Sequence, residues 1–586
     1  MQVRSSNSTL VRAAILLFSF WILALILLTR PLLYTNSSEN SDILSRLSKA
    51  MSELDSMKQQ NTEMQWILTN LSQASLNGKD LVKVKEELMQ KLQTSLQGIH
   101  GSSSKLSQNV LESSKNPSKE YEVTRRLIDR GVQEMWFYIR AELVKLHKSL
   151  SKQNQLEIAK DVEEVLIGGS EHEKTLLTDL EKLSNLDGHD SWRAAEARSL
   201  SDLVQKRLHY LQNPKDCSKA RKLICNLNKS CGYGCQIHHA AYCFIMAYAT
   251  KRTMILQSRN WRYHRGGWEE IFYPVSDTCR DPSGEDRSAW PGKNDTQVVE
   301  LPIVDMLSPR PPHLPLAIPR DISDRLIRLH GDPPVWWVGQ FLKYLLRYRP
   351  QIQKLLDEAK TNIGFQKPIV GVHVRRTDKV GTEAAFHSVD EYMLYVADYY
   401  QQLEMKEKVD VRRVYLASDD PSVLPEARKK YPKYEFLGDV SIAKGAAVAT
   451  RYTDEALHGI LTDIHLLANT DYLVCTFSSQ VCRLAYEIMQ SLHPDASARF
   501  KSLDDIYYYG GQLGHKQVAI HPHKSRKGGE ISLEVGDVLG IAGNHWDGFS
   551  RGQNERTKQE GVYPSFKAVD QLRLVDFPSY SEADTG

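Results

Sequence analysis

The spacing of apolar positions changes several times along the chain, and each change predicts a different kind of element. Ala13 to Leu28 (AAILLFSFWILALILL) is an uncharged run, preceded by Arg4 and Arg12 and closed by Arg30 and Pro31. Such a run predicts a membrane anchor over 13–33, after a cytoplasmic tail at 1–12. Thr29-Arg30-Pro31-Leu32 lacks a small-x-small cleavage site, which disfavours the alternative of a cleaved signal peptide. From 34 to 119 the spacing is helical. Leu44, Leu47, Met51 and Leu54 step by three and four, as in a coiled-coil seam, and a Ser-rich joint with Pro117 follows a second helical run, Leu81 to Leu96. This stem is expected to pair with a second copy; a solvated helix that pairs with nothing is the alternative.

Residues 120–215 read as helical throughout. Leu127, Met135, Leu143, Leu146 and Leu150 mark one amphipathic helix and Trp192 to Leu211 another, with breaks expected at Gly168-Gly169 and Asp187-Gly188. Over 216–365 short apolar strands, Thr253 to Leu256 and Val298 to Val304, alternate with helices and predict an open α/β layer. Over 366–500 the pattern becomes strand, helix, strand. Ile369 to Val374, Val414 to Ala417 and Tyr472 to Thr476 are buried-type runs, which predict a parallel, Rossmann-like sheet. Residues 512–573 change again, to short strands with glycine turns, as in a small β-barrel.

Charge rules out one class of partner: 75 basic against 72 acidic residues, a net +3, gives no electrostatic reason to expect nucleic acid. All eight cysteines lie beyond residue 216, an even number that predicts disulfides in an oxidising lumen. Zinc held by Cys231, Cys235, His238 and His239 is the alternative. Sequons at Asn36, Asn70, Asn228 and Asn294 permit glycosylation.

Candidate chemistry gathers where the 369–374 strand ends. Arg375, Arg376 and Lys379 place cationic donors at the edge where open α/β sheets bind ligands, and Glu383 follows as a candidate base. Ser478 to Gln480 fall at a predicted helix N-terminus, a second anion-friendly position after a second strand. Together they predict a diphosphate site. Ser418-Asp419-Asp420 raises the alternative of Mn²⁺ or Mg²⁺ under a nucleotide diphosphate. No Walker A, GxGxxG or Gly-x-Ser-x-Gly follows these strands, which argues against a P-loop ATPase, an NAD enzyme and a serine hydrolase.

The segments GVHVRRTDKVGTEAAFH (371–387), Tyr415-Leu-Ala-Ser-Asp-Asp420, Cys475-Thr-Phe-Ser-Ser-Gln-Val-Cys482 and Asn213-Pro-Lys-Asp-Cys217 closely resemble the core α-1,6-fucosyltransferase of N-glycan processing, over about residues 120 to 575. The resemblance implies a GT-B-like glycosyltransferase with an SH3-like barrel, held in the Golgi membrane as a single-pass type II protein. It implies transfer of fucose from GDP-β-L-fucose, with inversion and without metal or other cofactor, to O6 of the innermost N-acetylglucosamine of N-glycans. Arg375 would hold the β-phosphate with Arg376 in support, while His373, Asp463 and Tyr263 meet the guanosine end. Ser479, Gln480 and Tyr233 would close around the donor. Glu383 would be the base, with Lys379 beside it; Asp504 and Asp505 would face the acceptor glycan and His545 a distal sugar. The implied disulfides are Cys217–Cys279, Cys225–Cys243, Cys231–Cys235 and Cys475–Cys482. In the barrel this chain departs from the SH3 pattern, because His521-Pro522-His523 stands where groove tyrosines would be and one Trp of the usual pair remains, which argues against peptide binding. A metal-dependent transferase using Asp419 and Asp420, or a non-catalytic lumenal adaptor, are the competing functions.

Overall fold

The computed structural model describes residues 116–584, except 378–379, 382–384, 448, 505 and 511–514. The expected anchor and coiled-coil stem therefore lie outside the described residues, as do Lys379, Glu383 and Asp505; among the described residues no helix is long and apolar enough to cross a membrane. A helical hairpin comes first, α1 (Lys119–Lys152) and α2 (Leu156–Leu186), then α3 (Asp190–Gln212). The Ser118 side chain caps α1 by accepting from Tyr121 N, and Glu120 and Glu122 suit the dipole of its first turn.

Two expectations for these helices need correction. Gly168-Gly169 does not break the chain: α2 runs straight through, because Gly169 is where α1 and α2 touch, and a Cβ there would lie 2.6 Å from the Trp136 ring. The expected apolar stripe of α1 is also largely on the outside. Of it Leu127, Met135 and Leu146 are exposed and Leu150 is buried, while Glu122, Glu134 and Trp136 are buried as well. Glu122 can go inside because Arg193 of α3 donates to Oε1 at 2.7 and 2.9 Å and Arg125 to Oε2 at 2.9 Å.

The first sheet holds β1 (Lys222–Asn226), β2 (Thr253–Gln257), β3 (Arg287–Ala289) and β4 (Val298–Glu300), all parallel in the order β2-β1-β4-β3. Between β1 and β2 runs α4 (Tyr233–Ala249), whose apolar residues from Ile237 to Ala249 are buried. An interior this apolar on every side marks a central helix. After β5 (Ala317–Pro319) come α5 (Arg320–Leu329), α6 (Pro333–Leu345) and α7 (Pro350–Asn362).

The second sheet begins with β6 (Ile369–Val374), buried at every position. Then follow α8 (Val389–Glu404), β7 (Arg413–Ser418), α9 (Val423–Lys430), β8 (Glu435–Leu437), α10 (Val440–Gly445), α11 (Asp454–Ala468), β9 (Tyr472–Cys475), α12 (Gln480–Leu492) and β10 (Phe500–Ser502). The order is β10-β9-β6-β7-β8, and every neighbour is parallel. Counted from β6, this is the 3-2-1-4-5 order of a Rossmann-type sheet, with its switch point between β6 and β9. Alternation sorts the faces: Val370, Val372 and Val374 pack under α8, while Ile369 packs with Tyr415, Leu466 and Tyr486 on the other side.

The last sheet is antiparallel where it runs consecutively: β11 (Lys516–Ala519), β12 (Val538–Asn544), β13 (Phe549–Asn554), β14 (Glu560–Pro564) and β15 (Ala568–Asp570), in the order β14-β13-β12-β11-β15. It docks on α1. Asn544 Nδ2 donates to the buried Glu134 at 3.1 Å, and Phe137 meets Trp546 edge-on, ring centroids 6.2 Å apart. β16 (Arg573–Val575) then pairs with β5, and Tyr580 stacks on Tyr248 of α4.

Candidate active site at the carboxyl edge of the second sheet

Because the strands of the second sheet are parallel, their carboxyl ends share one edge, and the loops that leave it build the site. Val374 lies opposite Ser418 and Ser502 opposite Cys475, so Arg375, Asp419, the 476–480 loop and Asp504 all follow strands that stop together. Asp419 organises the first of these loops. Its carboxylate accepts from Arg375 Nη1 and Thr377 Oγ1, from the backbone N–H of Arg376 at 2.8 Å and from that of Thr377 at 3.0 Å. Burial pushes this carboxyl up, but Arg375 and the hydrogen bonds outweigh it and the net shift is downward. The second carboxylate of the pair, Asp420, has partners of its own. Asp420 Oδ1 accepts from Ser422 N at 2.9 Å and Oγ at 2.6 Å, and Arg376 Nη1 reaches Glu426 at 2.9 Å.

Across the switch point the chain leaves β9 and turns into α12, with Ser479 as N-cap and no side-chain cap among the described residues. The turn is held from two directions. Cys475 and Cys482 are disulfide-bonded around it, and Asp504 accepts from Phe477 N at 2.8 Å and Ser478 N at 3.3 Å. Asp504, expected to face the acceptor, thus turns its carboxylate to this loop. Ser478 Oγ is buried without a hydrogen-bond partner among the described residues.

A second helix N-terminus, that of α4, arrives from the first sheet. Gly234 lets it come close: a Cβ there would lie 2.8 Å from Gln480 Cβ. Tyr233, the first residue of α4, packs with Trp261, Tyr263 and, through Tyr263, Tyr452, the last two ring centroids 5.1 Å apart. On the α11 face of the sheet lie two further expected residues. His373 is buried, with Nδ1 unpartnered among the described residues, and burial lowers its pKa to about 4. Asp463 is buried on α11, where Tyr415 donates to it at 2.6 Å; burial raises its carboxyl to about 7.

His545 stands apart on the exposed β12–β13 loop. Its neighbour Trp546 is tied back to the sheet by Lys501 of β10, whose Nζ lies 3.9 Å from that ring and 4.0 Å from Phe137. The Trp left over from a peptide groove is therefore already in use. A cavity of about 860 Å³ opens between α1, β10 and the last sheet and is lined by Arg130, Glu134 and Lys501, away from Arg375 and Gln480.

All four disulfides form in the implied pairs. The zinc alternative at Cys231 and Cys235 loses its thiolates to one of them, and His238 is taken by Glu487 and Gln480. Cys225, His239 and Cys243 also converge, but both sulfurs are bonded to each other. What the sequence did not mark is the buried set His238, Glu487, Tyr507 and Tyr509 under Gln480. No motif announces it.

A Rossmann-type parallel sheet with a cationic loop after β6 and the N-terminus of α12 after β9, on either side of its switch point, is an arrangement in which α/β proteins bind phosphate-bearing ligands. The chain matches the family described as alpha-(1,6)-fucosyltransferase N- and catalytic domains over residues 3–508, and it belongs to that family. It is 51% identical over 563 residues to an alpha-(1,6)-fucosyltransferase of Drosophila melanogaster, spanning 92% of this chain and 91% of the relative. It is 42% identical over 464 residues to another of Caenorhabditis elegans, spanning 78% and 80%. A crystal structure of NodZ alpha-1,6-fucosyltransferase soaked with GDP-fucose covers 46% of this chain and 93% of its own at 15% identity, with a TM-score of 0.32, too loose a likeness to add to the assignment.

Proposed function

We propose that this fucosyltransferase moves L-fucose from GDP-β-L-fucose, with inversion and without a metal ion, onto O6 of the innermost N-acetylglucosamine of N-glycans. The observation that carries the donor half is the facing pair of anion-friendly loops, Arg375–Thr377 after β6 and Phe477–Gln480 after β9. A diphosphate laid across the switch point meets the Arg375 guanidinium on one side and the N–H groups of the first turn of α12 on the other. His373 and Asp463 lie on one face at the guanosine end, and a carboxylate is the acceptor that the guanine N1–H and 2-amino group require.

Chemistry then needs one displacement. O6 attacks the anomeric carbon from the face opposite the phosphate, the C1–O bond breaks with its electron pair on GDP, and the O6 proton passes to Glu383, with Lys379 beside it. Charge grows on the β-phosphate as the bond breaks, so a fixed guanidinium lowers the barrier most there. A positioned carboxylate base contributes about 10² to 10⁴ in rate. Arg375 supplies the charge that a divalent cation supplies elsewhere, and the occupied oxygens of Asp419 fit that division of labour.

The barrel, read as SH3-like, would hold the acceptor arm through His545, with Asp504 and Asp505 facing the acceptor glycan. The N-terminal anchor places the enzyme in the Golgi membrane as a type II protein, and paired stem helices make it a homodimer. Exposed Ile128, Met135, Val165 and Leu183 on α1 and α2 would offer apolar surface to a second copy. Fucose transfer by the full chain to a biantennary N-glycopeptide in EDTA, beside Glu383→Gln, tests the reading. Wild type should transfer to the core sugar and the variant should fall by orders of magnitude. Activity that vanishes in EDTA, or survives in Glu383→Gln, overturns it.

A further inference from the structure

Beneath the α12 N-terminus lies a buried polar set that the proposed reaction does not use. Glu487 is fully buried, about two helical turns along α12 from Gln480, and its carboxylate meets His238 Nε2 at 2.8 and 3.1 Å. Tyr507 donates to the same carboxylate at 2.7 Å, and Tyr509 donates to the backbone carbonyl of His238. On the opposite side of the ring, His238 Nδ1 lies 3.1 Å from the side-chain oxygen of Gln480. His238 comes from α4 and the other partners from α12 and the chain after it, so the set bridges the two sheets.

A buried carboxylate without water requires a cationic or donating partner, and breaking such a pair leaves an uncompensated charge. Glu487 accepts only, so Nε2 carries a hydrogen. An amide oxygen 3.1 Å from Nδ1 matches a ring N–H there, as the carboxylate matches one at Nε2. With its oxygen at the ring, the Gln480 amide has its NH₂ turned away from the ring. Turned the other way, the amide would present its oxygen to an anion.

We propose that His238, held by Glu487, is a positioning residue that fixes the Gln480 amide with its NH₂ toward the donor diphosphate. The inference rests on the reading of Gln480 as a donor-site residue. It also gives the first sheet a part in donor binding, because α4 carries the orienting ring. The close approach at Gly234 keeps the two helix starts within hydrogen-bonding range.

The test compares Gln480→Ala, Glu487→Gln and their combination in the full chain. GDP affinity is measured by calorimetry, and KM is measured separately for GDP-fucose and for the glycopeptide acceptor. Gln480→Ala should weaken GDP about tenfold, the size of one hydrogen bond to a charged group. Glu487→Gln should weaken GDP and raise the KM for GDP-fucose by a similar factor, leave the acceptor KM unchanged, and add little to Gln480→Ala, since both act through one amide. A merely structural role would lower thermal stability without separating the two KM values. Weakening by Gln480→Ala with full affinity in Glu487→Gln overturns the positioning role and leaves the donor reading standing. Full affinity in Gln480→Ala removes the donor reading of that residue and the inference with it. Should Glu487→Gln not fold, ¹⁵N-histidine spectra of the wild-type chain decide. A His238 ring with hydrogen on both nitrogens supports the proposal; a bare ring nitrogen overturns it.

Discussion

Asp419 holds Arg375 by its guanidinium and, on the same carboxylate, the backbone N–H groups of the two residues that follow it, at 2.8 and 3.0 Å. One side chain thus fixes both the direction of the cationic group and the path of the loop that carries it. Asp419→Asn keeps the size but removes the charge, leaving a partly buried guanidinium less compensated. We expect kcat/KM for GDP-fucose to fall by about 10- to 100-fold, and Arg375→Lys, which keeps the charge but loses the fork, to fall at least as far. Steady-state kinetics with the glycopeptide acceptor check this. An Arg375→Lys enzyme of wild-type rate would remove the phosphate role of that residue.

Asp463 gives a pH dependence of definite sign. Burial raises its carboxyl to about 7, the Tyr415 hydroxyl works against that shift, and Asp439 adds to it. A raised acid disfavours the fold as pH climbs from the ordinary carboxyl range to about 7, and the penalty is constant above that. A ligand that donates two N–H groups binds the ionised form, so it must expel the proton at lower pH. Affinity for GDP-fucose, whose diphosphate has no group titrating near neutrality, should fall by up to about tenfold per pH unit below pH 7. Asp463→Asn should bind weakly and with a flat profile. Calorimetry between pH 6 and 8 in the absence of acceptor reads it, and a flat wild-type curve would place guanine elsewhere.

Neighbouring glycines in α2 should respond with opposite sign. A Cβ at Gly168 meets nothing within 4 Å, so Gly168→Ala should stabilise by about 0.5 to 1 kcal/mol through helix propensity. A Cβ at Gly169 lies 2.6 Å from Trp136, so Gly169→Ala should destabilise by about 1 to 3 kcal/mol by overpacking. Thermal melts of the two variants separate them, and equal shifts would contradict the packing of α1 on α2.

That pair also marks where sequence reasoning stopped short. The buried runs at 369–374 and 472–475 announced themselves because a parallel strand covered on both faces must be apolar, and the polar residues after them located the site. Glycines in a helix read as breaks unless the partner that needs the room is known, and Trp136 lies 33 residues earlier by the difference of their numbers. Nothing in the sequence likewise shows that Arg375 and the two N–H groups after it share the Asp419 carboxylate. The network of His238, Glu487 and Tyr507 joins residues far apart in the chain whose only common property is burial, and single-sequence patterns carry no such pairing.

The 476–480 loop supplies the last prediction. An anion bound by backbone N–H groups gains only if those groups are already aimed, since ordering them on binding costs part of the gain. Here the aim is set twice, by the Cys475–Cys482 bridge and by Asp504 on Phe477 N and Ser478 N. Replacing both cysteines by alanine opens a short loop and should lower stability by about 2 to 3 kcal/mol. GDP affinity should fall too, and Asp504→Asn should weaken it further in the cysteine-free protein than in the wild type, because each restraint partly covers for the other. Calorimetry with GDP on the four proteins gives the coupling directly. Unchanged GDP affinity in the doubly altered protein would mean that the start of α12 does not hold the diphosphate.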